Sequence, residues 1–355
     1  MANTVTYGFY DLQSVFSQRV TDSMIPTINT AIDRTIAEHN RQSNALFNLL
    51  VRQTTQYKLR YRTPGSETLQ PGDENGRYLP TQGGSTYDVA FPLQFAGTAW
   101  GANRTARIKM TVEEVNNILA QKLLADIRWR RNHILATLFA SASWEFTDKE
   151  HGALTIMPVA NGDSQVYAIQ AGTDSGATDD HLYKQAAAIA DATNPFPTIY
   201  DELMEHPENG GEPIAFISSS LRATTEALAT FKEYGDPDIT VGIGNDRLTG
   251  RLGVSVPGTV IGKADKVWIV EWKSLPAGYG FAVTSGGEPV IGARQQPEPE
   301  LQGFQRIGSR QEVPFTEDQY ERQEGYGIWN RVGAVPFRIG NASYAVPTGY
   351  SVPMP

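Results

Sequence analysis

The residues of this sequence best suited to metal or acid–base chemistry are five histidines, His39, His133, His151, His181 and His206, scattered along the chain without any HExxH-type spacing. That distribution reads as ordinary surface or half-buried histidine. The nearest approach to a nucleophile elbow, Gly253-Val254-Ser255-Val256-Pro257, carries proline where a second glycine is required. It disfavours a serine hydrolase, although triads are defined by geometry and not by motif. Carboxylates such as Glu271 and Asp265 could act as acid and base in a hydrolase, but such pairs are easily found among 39 acidic residues. The stretch VGIGNDRLTG lacks the GK[ST] ending of a phosphate loop and misses G-x-G-x-x-G, so it reads as a flexible loop. Asp236 and Asp238 just before it and Asp246 within it miss the calcium-loop spacing. Arg128, Arg130 and Arg131 flank Trp129 and form a local basic cluster, for which acidic partners or an apolar surface suit better than nucleic acid. No cofactor and no metal is implied by these patterns.

The totals describe a folded protein, not a tail or a linker. With 355 residues, 40% of them hydrophobic and 10% aromatic, the chain can bury one large core or two modest ones. A formal charge of −9 repels polyphosphate and does not advertise direct nucleic-acid binding. The absence of cysteine removes disulfides, thiolate metal sites and cysteine nucleophiles together, and is compatible with assembly in a reducing cytoplasm. The opening MANTVTYGFYDLQSVFSQ has no basic cluster followed by an apolar core, and no apolar run approaches the ~18 residues of a membrane span. The chain is therefore expected to be soluble and intracellular where it is made. The sequons at Asn103 and Asn341 have meaning only after export.

The elements that would position any site follow from periodicity. Ile28, Ile32, Ile36, Leu46, Phe47 and Leu50 recur at helical spacing after Pro26, which suits a helix start. Tyr57, Leu59 and Tyr61 then alternate with basic residues, as do Tyr87, Val89, Phe91, Leu93 and Phe95 with polar or small ones. The turn-rich segment 63–86 between them predicts a long two-stranded hairpin. Such a ribbon is not stable alone in water, so its apolar side must lie on its own chain or on a neighbour. Thr111 and Glu114 form a capping box that starts a helix carried to about Trp144, a rod of roughly 50 Å at ~1.5 Å per residue. Strands are expected within 153–172, a helix over 179–193 capped by Asp179 or Asp180, and a short helix in FPTIYDELMEH. A buried strand in EPIAFISSS precedes a helix ended by Gly235. Strands follow at KVWIVEW and GYGFAVT, completing an α/β subdomain of about 195–305 from which 235–253 projects. The segment YERQEGYGIWNRVGAVPFRIGN opens with helix-like charge and ends with strand-like alternation.

That last segment, preceded by GVSVPGTVIGKADKVWIVEWKSLPAGYGFAV, resembles the closing half of the major capsid proteins of tailed bacteriophages, whose shell fold is named after phage HK97. The residues carrying the likeness are Tyr320, Arg322, Tyr326, Gly327, Ile328, Asn330, Arg331 and Ala334. Element order extends it over nearly the whole chain. The resemblance implies an α+β, HK97-like capsid fold with an N-terminal arm and helix (1–55), an extended β-hairpin or E-loop (56–110), and a spine helix with a peripheral domain (111–194). An axial domain (195–305) and a return to the peripheral domain with a C-terminal tail (306–355) complete it.

By that resemblance the chain is a non-enzymatic shell subunit that partners itself in hexamers and pentamers and encloses double-stranded DNA by non-specific proximity. Scaffolding, portal and decoration proteins are the accessory partners, membranes are not involved, and the product is a virion capsid assembled in the host cytoplasm. The E-loop residues implied at the subunit interface are Tyr61, Arg62, Arg77, Tyr78, Tyr87, Phe91 and Phe95, and those at the capsomer axis are Asp236, Asp238, Asn245, Asp246, Arg247 and Arg251. Two departures from the namesake are expected. No removable scaffold-type domain precedes the arm, and no lysine lies between Lys58 and Lys109 to supply a cross-linking amine. Two other readings stay open: an encapsulin-like nanocompartment in the same fold, and a soluble carboxylate-dependent hydrolase.

Overall fold

The computed structural model describes residues 9, 12, 15–62, 74, 76, 86–170, 172–173, 179–234, 240–241, 248–249, 256–312 and 315–354. Helix α1 (Ile25–Phe47) has Pro26 in its first turn and buries Ile28, Ala31, Ile32 and Ile36. It leads to β1 (Val51–Thr54) and then to the hairpin of β2 (Lys58–Arg62) and β3 (Thr86–Ala90). Strand β4 (Phe95–Asn103) and the short α2 (Arg104–Lys109) precede α3 (Val112–Phe139), which begins at the expected capping box with both halves made. At 28 residues α3 is about 42 Å long. It stops at Phe139 and not near Trp144, because Trp144 and Phe146 take a two-residue alternation and enter β5 (Trp144–Asp148), paired with β6 (Gly152–Ile156).

Beyond β6 the expected strands of 153–172 shrink to the two-residue pair β7 (Ala168–Ile169) and β8 (Gly172–Thr173). The helix expected over 179–193 is absent: β9 (Tyr183–Gln185) and a 3-10 turn at Asp191–Thr193 stand there instead. Backbone pairing to the far end of the chain overrides the helix propensity of the alanines. Helix α4 (Phe196–Met204), β10 (Pro213–Ile217) and α5 (Ser219–Glu226) follow the order read from the sequence. However, α5 ends at Glu226, well short of Gly235, where β11 (Phe231–Glu233) takes over.

The short β12 (Thr240–Val241) and β13 (Leu248–Thr249) pair with each other. The chain then runs through β14 (Thr259–Ala264), β15 (Val267–Glu271), β16 (Tyr279–Thr284), β17 (Ile291–Gln295), β18 (Phe304–Glu312), β19 (Phe315–Ile328) and β20 (Ala334–Ile339). Thus 320–328, helix-like in its charges, is strand throughout.

Two sheets organise these elements. A seven-stranded sheet has the order β11-β14-β15-β10-β16-β20-β9, with β10 parallel to β15 and β20 parallel to β9. Its strands β10, β15 and β16 are buried along their whole length, as their continuous apolar runs require. The second sheet has the order β1-β17-β19-β18, with β4 also pairing along β19. At 14 residues β19 is a ribbon of about 46 Å. The carboxyl half of α3 (Ile134, Leu135, Leu138 and Phe139) sits in the core between the two sheets, while its amino half packs on α1. No described helix is long and apolar enough to cross a membrane.

Candidate functional site

The root of the hairpin is built from residues distant in sequence. Phe91 is fully buried and stacks on Trp329 at 5.6 Å, with Gly292 beneath it. A Cβ at Gly292 would stand 2.4 Å from the Phe91 ring, so only glycine admits this contact. Arg294 donates to the Phe91 carbonyl at 3.1 Å and to Asp148 at 2.8 Å, fixing the chain where it leaves the hairpin. Residues 90–94 cross over β19, where glycines again make the room: a Cβ at Gly325 would be 2.2 Å from the Pro92 carbonyl oxygen, and one at Gly327 would be 2.6 Å from that of Ala90.

From this root β2 and β3 run outward in register, Tyr61 opposite Tyr87 and Arg60 opposite Asp88. Asp88 accepts from Arg60 at 2.8 Å and ion-pairs with Lys58 at 2.6 Å; hydrogen bonds to Arg60 and then Lys58 hold its carboxyl down to about 2. Tyr61 and Tyr87 stack at 5.4 Å and are half-buried, Tyr87 also meeting Tyr167 edge-on. Burial pushes both phenols above their ordinary range. The described part of the ribbon therefore leans on its own chain.

The residues expected at the subunit interface divide accordingly. Phe91 is consumed inside its own subunit. Phe95, expected to continue the hairpin, opens β4 instead and is 56% exposed, with Lys149 over its ring at 5.5 Å. The chain passes through Pro92 between the two, so the alternation seen in sequence spans two separate strands. Arg62 closes β2 opposite Thr86. Arg77 and Tyr78 lie outside the described residues, as do Asp236, Asp238, Asn245, Asp246, Arg247 and Arg251 of the expected axial loop.

Behind the ribbon, a charged cluster that sequence reasoning missed joins α1, α3 and β19. Arg322 donates to Glu324 at 2.7 Å and to both oxygens of Asp126, and His39 lies 2.8 Å from Asp126. Arg130 reaches Glu324 at 3.3 Å, Tyr326 Oη at 3.0 Å and Ser43 at 2.8 Å. Two arginines balance two carboxylates here, which is the condition for burying such charges at all. Arg130 is accordingly buried, so the basic cluster read around Trp129 is not a patch of three exposed arginines. Arg331 is likewise fully buried, donating to the Pro158 carbonyl and pairing with Asp163 at 2.7 Å.

The hydrolase residues do not converge. Asp265 lies in the turn between β14 and β15, bonded to Asn194, while Glu271 ends β15 paired with Arg222. The four residue steps from Val267 to Glu271 alone span about 13 Å, beyond the ~5 to 9.5 Å of a glycosidase pair. The histidines also depart from expectation: His39, His133, His181 and His206 are all buried, and His181 meets His206.

With the geometry in hand, comparison with solved structures is decisive for the fold. A structure of Mycobacterium phage Patience overlays on 99% of this chain and 99% of its own at a TM-score of 0.70 and 20% identity. The chain has the HK97-type capsid fold. Looser likenesses include the capsid of the native GTA particle (11% identity, 84% of this chain and 91% of that one, TM-score 0.49). A virus-like particle from Pyrococcus furiosus is similar at 10% identity over 86% and 98%, TM-score 0.40. Neither adds weight to the fold assignment. No family model matches the sequence, and no curated protein does.

Proposed function

We propose that this protein is a major capsid protein that self-assembles through hexamers and pentamers into an icosahedral shell around double-stranded phage DNA, in a structural and not a catalytic role. The observation that carries this reading is the whole-chain overlay on a phage protein, spanning 99% of both chains. In this reading 56–110 serves as E-loop, 111–194 as spine and peripheral domain, 195–305 as axial domain and 306–355 as the return. Segment 63–85 supplies the reach across a neighbouring subunit, since the root residues Tyr61 and Tyr87 are half-spent on their own chain. Exposed Phe95 and Ile307, on the strands either side of β19, supply apolar contact area.

Such a shell is held by area and interdigitation and not by lysine cross-links, because no lysine lies between Lys58 and Lys109. Many weak contacts closed by symmetry give collective stability. A net charge of −9 suits a container whose genome must leave. Assembly takes place in the host cytoplasm and the mature location is the virion, with scaffolding, portal and decoration proteins as accessory partners. Deleting 64–85 tests the reading: the deletant should fold, with unchanged circular dichroism, and fail to close particles. Normal shells from the deletant would overturn the E-loop assignment.

A further inference from the structure

His181 and His206 come from different segments, one just ahead of β9 and one just after α4, yet their Nε2 atoms are 3.1 Å apart in a fully buried position. The other nitrogen of each ring is committed. His181 Nδ1 lies 2.9 Å from the Ala334 carbonyl oxygen and His206 Nδ1 lies 2.9 Å from that of Ala168. A carbonyl only accepts, so both Nδ1 atoms carry the hydrogen, and in the neutral rings both Nε2 atoms present lone pairs to each other. Two lone pairs at that separation repel unless something positive lies between them.

The rest of the cluster is also acceptor in character. Asp179 is 6% exposed, and neither of its carboxylate oxygens has a hydrogen-bond partner. Its Oδ1 is 3.2 Å from His181 Nε2, within ion-pair distance, and its Oδ2 is 3.8 Å from His206 Nε2. Glu205 Oε1, at the solvent edge, is 3.6 Å from His206 Nε2. One ligand atom from each of the four residues fits within a mutual distance of 4.8 Å. A tetrahedral zinc ion with bonds of about 2.0 to 2.2 Å sets its ligand atoms about 3.3 to 3.6 Å apart, and the four separations around the two Nε2 atoms, 3.1, 3.2, 3.6 and 3.8 Å, straddle that range.

We propose that Asp179, His181, Glu205 and His206 form a structural zinc site that staples the segment before β9 to the end of α4. Two imidazoles with two carboxylates select a first-row transition ion over calcium or magnesium. Hydrogen bonds from both Nδ1 atoms to backbone carbonyls are the outer support that orients histidines toward a metal. Glu205 closes the fourth position from the solvent side, giving the ion its way in. The site stands whether or not the chain builds a capsid.

The test uses untagged full-length protein stripped with chelator, dialysed, and titrated with ZnCl2 by calorimetry. One equivalent of Zn2+ per chain is expected, and Co2+ in its place should give the intense visible bands of a four-coordinate ion. Glu205→Gln, at an exposed position that leaves the fold intact, should weaken Zn2+ binding at least about tenfold, and His206→Gln should abolish it. No saturable binding, or binding unchanged in Glu205→Gln, would overturn the proposal. If His206→Gln does not fold, the Glu205→Gln titration decides alone. A protonated histidine pair held by Asp179 without metal is the outcome signalled by absent Zn2+ binding.

Discussion

Arg322 grips Asp126 through two hydrogen bonds, Nε to Oδ1 at 2.5 Å and Nη2 to Oδ2 at 2.9 Å, and each side chain is only 2% exposed. This pair fastens the long strand β19 to helix α3. Removing one member strands a buried charge, whereas the intact pair is weak evidence of net stabilisation. Arg322→Leu should therefore destabilise the subunit by about 3 to 5 kcal/mol in urea unfolding. A loss below 1 kcal/mol would show that the cluster relaxes around a single charge.

The same pair sets a dependence on acid. Burial alone would raise the Asp126 carboxyl, but the Arg322 guanidinium and His39 beside it hold it well below the ordinary carboxylate range. In the window between the folded value and the unfolded value of about 3.9, the unfolded chain binds the proton and the folded one does not, so stability rises with pH there. The contribution is complete above that window and is lost as pH falls through it. Urea unfolding followed from pH 6 down to 2 should show a shallower decline in Asp126→Asn than in the unaltered protein. Identical slopes would mean that Asp126 is not the linked group.

Glycines beneath the hairpin root should be intolerant where others are not. Gly325→Ala forces a Cβ against the Pro92 carbonyl and should cost about 1 to 3 kcal/mol, because backbone and not a flexible side chain must move. Gly308, on β18, has nothing within 4 Å of the place an alanine methyl would take, so Gly308→Ala should be neutral or gain up to about 1 kcal/mol. Thermal melts of the two variants side by side make the comparison.

Phe91 and Phe95 are four residues apart and should fail differently. Phe91→Ala empties a fully buried position and should cost about 3 to 5 kcal/mol of subunit stability. Phe95→Ser removes a ring that is 56% exposed, and should leave subunit unfolding within about 0.5 kcal/mol while lowering particle yield. Chemical denaturation and particle yield by sedimentation separate the two effects; equal yields for Phe95→Ser and the unaltered chain would remove Phe95 from the interface.

Local signals were the most legible in the sequence. The capping box at Thr111 and Glu114 involves neighbours within one turn, and it starts α3 as read. Leu123, Ile127 and Leu138 are buried as their helical spacing requires. Non-local pairing hid the rest. Tyr183–Gln185 is drawn into a strand by Phe337–Ile339, which nothing near residue 183 announces. On β19 the inward face runs Tyr320, Arg322, Glu324, Tyr326, Ile328, a strict two-residue period disguised because two of its members are charged. The Asp179, His181 and His206 cluster was invisible for a similar reason: its ligands meet through the fold and follow no motif spacing.

The most direct measurement of the central claim is negative-stain electron microscopy of the expressed, purified protein across a concentration series. Round shells of uniform size, or the hexameric and pentameric capsomers that build them, are the expected result. Single chains at every concentration, with the hairpin adding no contact to any second copy, would contradict the account.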